Sequence, residues 1–178
     1  MLLALILVSF IGTNGPMLYF LHRLKHDRKT SVSHHMATSK ETNLVYALGH
    51  FVGGMAYLYF AYRYFYKEQG STLLMVLSAV GVVAEQIQAF FPNNERYKKV
   101  HTVAAFAMGA FITCIVLLAP SVITLQTSWL VGYYLLVSVL CIAGIYTLFN
   151  KPKFYRAQML FFCSFHVFLY MLMFGVKK

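Results

Sequence analysis

Four polar side chains stand where an apolar sequence has least use for them: His50, Glu85, Gln88 and His101. A carboxyl and two imidazoles are groups that hold or pass on a proton near neutral pH, and Glu85 is the only acid inside an apolar stretch of this chain. The pattern for bond-breaking chemistry is absent. There is no paired-carboxylate site, nucleophile elbow or Gly-rich phosphate loop, so the sequence assigns no catalytic residue and reads as a non-enzyme. No HxxxH or ExxH spacing among His50, Glu85 and His101 supports a metal there, and no cofactor is expected.

These residues must be positioned by helices. The hydrophobicity comes in six blocks of about twenty residues, each long enough at ~1.5 Å per residue to cross a hydrocarbon core of ~30 Å. The expected spans are 1–21, 43–66, 71–91, 99–118, 128–149 and 154–176, making 1–178 a single integral membrane domain: an all-α, polytopic six-helix bundle. The first span starts at Met1 without a basic leader or small-residue cleavage site and is read as a retained helix, with a kink expected at Asn14-Gly15-Pro16. Tyr57, Tyr59, Tyr62, Tyr64 and Tyr66, and later Trp129, Tyr133 and Tyr134, are placed at the membrane interfaces. Cys114, Cys141 and Cys163 fall inside the apolar blocks and are read as buried thiols.

Depth brings the polar residues together. His50 lies six or seven residues into the second span, Glu85 about six before the end of the third, and His101 two or three into the fourth, all counted from one face. That is roughly 3 to 10 Å below a common surface. Their helical faces carry small residues: Gly53 and Gly54 with His50, Ser78, Gly81 and Gln88 with Glu85, and Ala105 and Gly109 with His101. Gly49-x-x-x-Gly53 and Ala105-x-x-x-Gly109 are therefore expected contact stripes. The candidate site is a pocket of His50, Glu85, Gln88 and His101, open to the basic face. The alternative is a Glu–His pair that only holds helices together. His166, in the middle of the sixth span, is read as a hydrogen-bonded core histidine in preference to a haem ligand. The loop histidines His22, His26, His34 and His35 are read as solvated in preference to metal-binding.

The net charge of +10 is carried by short breaks between spans, which argues for lipid partners and against nucleic acid. Breaks one, three and five hold eleven Lys and Arg: Arg23, Lys25, Arg28, Lys29 and Lys40; Arg96, Lys98 and Lys99; Lys151, Lys153 and Arg156. The other face has Arg63, Lys67, Lys177 and Lys178. This bias puts the odd-numbered loops in the cytoplasm and both termini outside or in a lumen. Arg96, Lys98 and Lys99 are the expected contacts for anionic headgroups.

The run Gln88-Ala89-Phe90-Phe91-Pro92, a polar turn, and His101-Thr102-Val103-Ala104-Ala105-Phe106 resembles the six-span superfamily of damage-regulated autophagy modulators and its bacterial relatives of unknown function. The second span, with its glycines and its Tyr62-Arg63-Tyr64 end, is similar too, so the likeness covers about residues 40–119. Pro92 stands where the autophagy-type members have glutamine, and Ala104 where they have glycine. The resemblance implies a six-helix bundle associated with membrane trafficking, lipid organisation and stress responses, and a cytoplasmic amino terminus, opposite to the charge count. His101 is the one site residue carried over.

The leading expectation is a non-enzymatic membrane protein that binds lipid or a small amphiphile in its polar pocket near the basic leaflet. The alternatives are a proton or ion pathway using Glu85 and the histidines, a haem or metal redox protein using His50, His101 and His166, and a subunit of a homo-oligomer or larger membrane complex.

Overall fold

The computed structural model describes residues 1–23, 32–149 and 154–176. Its helices are α1 (Leu2–Arg23), α2 (Val32–Met36), α3 (Lys40–Ala61), α4 (Thr72–Phe90), α5 (Lys98–Leu118), α6 (Thr127–Phe149) and α7 (Phe154–Gly175). Six of them are long and apolar enough to cross a membrane, which makes this an integral multi-pass protein with the all-α, six-helix architecture its hydrophobic pattern predicts. Among the described residues the only strand-like pairing is one bridge between Leu125 and Val176.

Local chemistry sets the helix ends. Ser39 and Thr42 form a capping box at the start of α3, with Thr42 N–H donating to Ser39 Oγ at 3.1 Å. Ser71 Oγ accepts from Leu74 N–H at 3.2 Å to start α4, and the chain turns into that cap through Gly70, whose φ of 66° lies in the left-handed region. Between them α3 widens into a π-helical stretch, Tyr62–Glu68. α4 ends where Pro92 cannot continue it.

Neighbours pair as α1 with α3, α4 with α5 and α6 with α7, while α3 also packs on α4 and α1 on α7. The closest approach is α1 on α3. A Cβ on Gly49 would meet Pro16 and lie 2.6 Å from the Gly12 carbonyl oxygen, and one on Gly53 would lie 2.6 Å from Thr13 Oγ1. Pro16 has no N–H to give the Gly12 carbonyl, so this freed oxygen lies against the bare Gly49 backbone. α1 runs through Pro16 as one helix.

Several sequence expectations change here. Nothing lies within 4 Å of a Cβ built on Gly109, so Ala105-x-x-x-Gly109 is not a close contact stripe; the close stripe is Gly49-x-x-x-Gly53, and it faces α1. Cys114 and Cys141 are exposed on outward helix faces and Cys163 is half-buried, because a small thiol suits a lipid-facing position as well as a core one. Of the tyrosines assigned to the interface, Tyr57, Tyr64 and Tyr133 are buried, with hydroxyls bonded to Ser78, the Leu172 carbonyl and the Val116 carbonyl. The expected loop after α1 contains α2, whose Ser33 and Met36 are buried.

The interior is divided by depth. Fully buried Phe60, Phe65, Leu74, Ile115 and Phe168 fill the half between the α3 end and the α4 start. His50, Glu85, Gln88 and His101, with Tyr46 and Ser33, are buried in the opposite half.

Candidate functional site

α3 and α4 run antiparallel, so His50, ten residues into one, comes level with Glu85, five before the end of the other. His50 Nδ1 donates to Glu85 Oε1 at 2.7 Å, with His50 fully buried and Glu85 8% exposed. Gln86 supports the register by donating from Nε2 to the His50 backbone carbonyl at 3.0 Å. One ring nitrogen, His50 Nε2, is buried with no partner among the described residues, as is Asn14 Oδ1.

Gln88 and His101 share the level but not the contact. Gln88 Nε2 donates to the Tyr46 hydroxyl at 2.7 Å, and the Tyr46 ring lies 4.3 Å from that of His50, centroid to centroid. His101 Nδ1 donates to the Phe91 carbonyl at 2.9 Å, leaving Nε2 of the neutral ring to accept from Ser33 Oγ at 2.9 Å. Phe91 O is one of the carbonyls that a helix end leaves unpaired, which explains why the next helix supplies a donor there. The four residues therefore do not enclose one common pocket. They form three separate side-chain ties, and of the four side chains only those of His50 and Glu85 bond each other.

A cavity in this bundle lies deeper. It measures about 30 Å³ and is lined by buried residues of five helices, including Ser9 and Thr13 of α1, Tyr57 of α3, Ser78 and Glu85 of α4, and His166 of α7. Gly81, Val82, Met108, Ile112, Ile115, Phe162 and Phe165 complete its wall. Its volume is close to the share of one liquid water, and its wall is mostly apolar, with Glu85, His166 and the hydroxyls as its polar groups. A headgroup or acyl chain needs roughly ten times that space.

The hydrogen bonds around this cavity have a direction. Ser78 Oγ donates to the Leu74 carbonyl at 2.8 Å, so the 2.8 Å bond between Tyr57 and Ser78 takes its proton from Tyr57. His166 Nδ1 donates to the Phe162 carbonyl at 2.9 Å, so Nε2 of the neutral ring accepts from Ser9 Oγ at 3.3 Å. His166 is thus a bonded core histidine, and it also faces the cavity.

Sequence reasoning gave Glu85 and missed Ser9, Thr13 and Tyr57 as its neighbours. A signal was present: Ser9 and Thr13 are one turn apart, and His50 and Tyr57 are two turns apart, each pair on one helical face.

Arg96, Lys98 and Lys99 are exposed beyond the α4 end, with the Arg96 guanidinium 5.0 Å from the Tyr97 ring centroid. Beside them a groove of about 420 Å³ is lined by His34, Thr38, Asn93, Asn94, Glu95 and Lys98. The side chains of His22, His26 and His35, and of Arg23, Lys25, Arg28, Lys29, Lys151, Lys153, Arg156, Lys177 and Lys178, lie outside the described residues. Among the described residues no three His, Cys, Asp or Glu side chains are grouped to hold a metal ion.

No protein-family model, curated protein or solved structure matches this chain, so the site is interpreted from its own geometry.

Proposed function

We propose that this membrane protein provides an ion pathway in which Glu85 takes up and releases a proton and His50 steadies the carboxyl. One observation carries the reading: a buried carboxyl bonded to a buried imidazole also lines a water-sized cavity. Intramembrane ionisable groups cost at least ~2.5 kcal/mol near the centre of a span, and pairing alone recovers on average ~0.6 kcal/mol. Polar groups in series support the same reading: Ser33 and His101 at the rim, Tyr46 and Gln88 below, then His50 and Glu85, the cavity, and His166. Beyond the cavity Phe60 and Phe168 are fully buried, so passage to the far face requires this aromatic layer to move.

The test is proton flux in liposomes loaded with a pH-sensitive dye. Wild-type protein should carry protons down a pH gradient under a potassium–valinomycin clamp, Glu85→Gln should abolish the flux, and Ser138→Ala on the outer face of α6 should leave it intact. Flux that survives Glu85→Gln, or no flux above empty vesicles, refutes the proposal.

A second reading, binding of an anionic headgroup, is favoured by the groove beside Lys98 and not by the inner cavity. Neutralising Arg96, Lys98 and Lys99 together should remove any stabilisation by anionic phospholipid; unchanged dependence refutes it. In either reading we place the basic loops in the cytoplasm, on the Lys and Arg bias. Kinship to the autophagy modulators would rest on the Phe91-Pro92 turn and His101, which here tie α4 and α5 to α2.

A further inference from the structure

Arg63 and Lys67 stand one turn apart on the π-helical stretch that ends α3, at the opposite end of the bundle from the Lys98 groove. The one ion pair among the described residues joins His50 to Glu85, so neither cation has a carboxylate partner among them, and Arg63 Nε is buried with no hydrogen-bond partner. An arginine stays charged, and a buried, unpaired part of its guanidinium costs free energy unless an anion completes it. Lys67 is held in place. Its ammonium lies 5.5 Å from the Tyr62 ring centroid and 5.3 Å from that of Tyr66, within the reach of cation–π attraction. The rings form a row: Tyr62 stacks on Tyr59 at 6.5 Å and on Tyr66 at 5.9 Å, and all three are exposed on the outer side of the helix. Met55 and Phe51 continue this exposed stripe from Tyr59 at steps of four toward the membrane centre.

We propose that this end of α3 binds one anionic phospholipid of the leaflet opposite the Lys98 groove, its phosphodiester held by Arg63 and Lys67 and one acyl chain laid along Tyr59, Met55 and Phe51. The charge balances. Two cations and the adjacent, exposed Glu68 leave one positive charge, which a single phosphodiester neutralises. Guanidinium N–H groups meet phosphate oxygens as a fork, and the ammonium adds a point charge. A choline headgroup fits poorly, because Lys67 already occupies the ring faces that a quaternary ammonium needs. Free phosphate would find the same two cations, but only a lipid also covers the apolar stripe. The site stands apart from Glu85 and does not depend on the ion pathway.

The experiment is native mass spectrometry and thermal unfolding of the full-length protein in a non-ionic detergent, with phosphatidylglycerol, phosphatidylcholine of the same chains, or chain-free glycerophosphoglycerol added. Wild type should hold phosphatidylglycerol about tenfold more tightly than phosphatidylcholine, melt at a higher temperature as it is added, and ignore the chain-free compound. Arg63→Gln and Lys67→Gln should each weaken phosphatidylglycerol affinity about tenfold. Lys67 is exposed, so its replacement tests the site without putting the fold at stake. Tyr62→Phe keeps the ring beside Lys67 and should bind as wild type does, whereas Tyr62→Leu removes it and should weaken binding. The comparison is repeated with Arg96, Lys98 and Lys99 neutralised, where the effect of Lys67→Gln should persist. Equal phosphatidylglycerol binding by wild type, Arg63→Gln and Lys67→Gln overturns the site. So does an equal response to phosphatidylcholine or to the chain-free headgroup, or loss of the Lys67→Gln effect in the neutralised background.

Discussion

Replacing Glu85 in two ways separates the charge of the His50–Glu85 tie from its hydrogen bond. In Glu85→Gln the amide oxygen can still accept from His50 Nδ1 at the position that Oε1 occupies at 2.7 Å, so only the charge assistance is lost. Charged hydrogen bonds are roughly twice as strong as neutral ones, which puts the cost at about 0.5–1 kcal/mol. Glu85→Leu keeps the volume and removes the acceptor. Nδ1–H then joins Nε2 as a second unpaired nitrogen on a fully buried ring, and an orphaned donor costs about 1–3 kcal/mol. The expected loss is about 2–3 kcal/mol, so the unfolding constants of the two variants should differ by roughly five- to seventyfold. Adding His50→Phe to Glu85→Leu removes both unpaired ring nitrogens, so the double variant should lose less than the sum of the singles by about 1.5 kcal/mol. Reversible unfolding in mixtures of mild detergent and dodecyl sulfate reads all four proteins. Equal stability of Glu85→Leu and Glu85→Gln, or an additive double variant, would show that the tie is not formed as described.

Glycine positions give a contrast within one molecule. Gly49→Ala and Gly53→Ala must each displace α1, and should cost at least the ~1–3 kcal/mol typical of overpacking, whereas Gly109→Ala and Gly144→Ala meet open space and should be neutral or gain up to ~1 kcal/mol from helix propensity. Unfolding midpoints of the four variants in one detergent check the order, and equal effects would contradict the α1–α3 contact. His101→Ala removes both the cap on the Phe91 carbonyl and the tie to Ser33, so amide exchange across Val32–Met36 should accelerate while that of the α3 interior stays unchanged. Protection of α2 equal to wild type would mean that Ser33 is held by something other than His101.

The sequence by itself determined that there are six membrane-crossing helices, because an apolar run of some twenty residues must satisfy its backbone within itself in lipid. It also showed that His50 and Glu85 lie at one level, since antiparallel helices of fixed rise convert residue counts into depth. Which face of each helix meets which neighbour was decided only by tertiary packing. Gly49 and Gly53 could have received α4 or α5, and they receive α1, whose Pro16 and Gly12 fit the bare backbone. That choice brings Ser9 and Thr13 to the cavity that Glu85 lines. It also leaves His101 to cap the α4 end, because an unpaired carbonyl there was a nearer partner than a carboxylate already bonded to His50. Depth follows from counting along one chain segment; partnership depends on the rotation of each helix about its axis, and only the packed bundle fixes it.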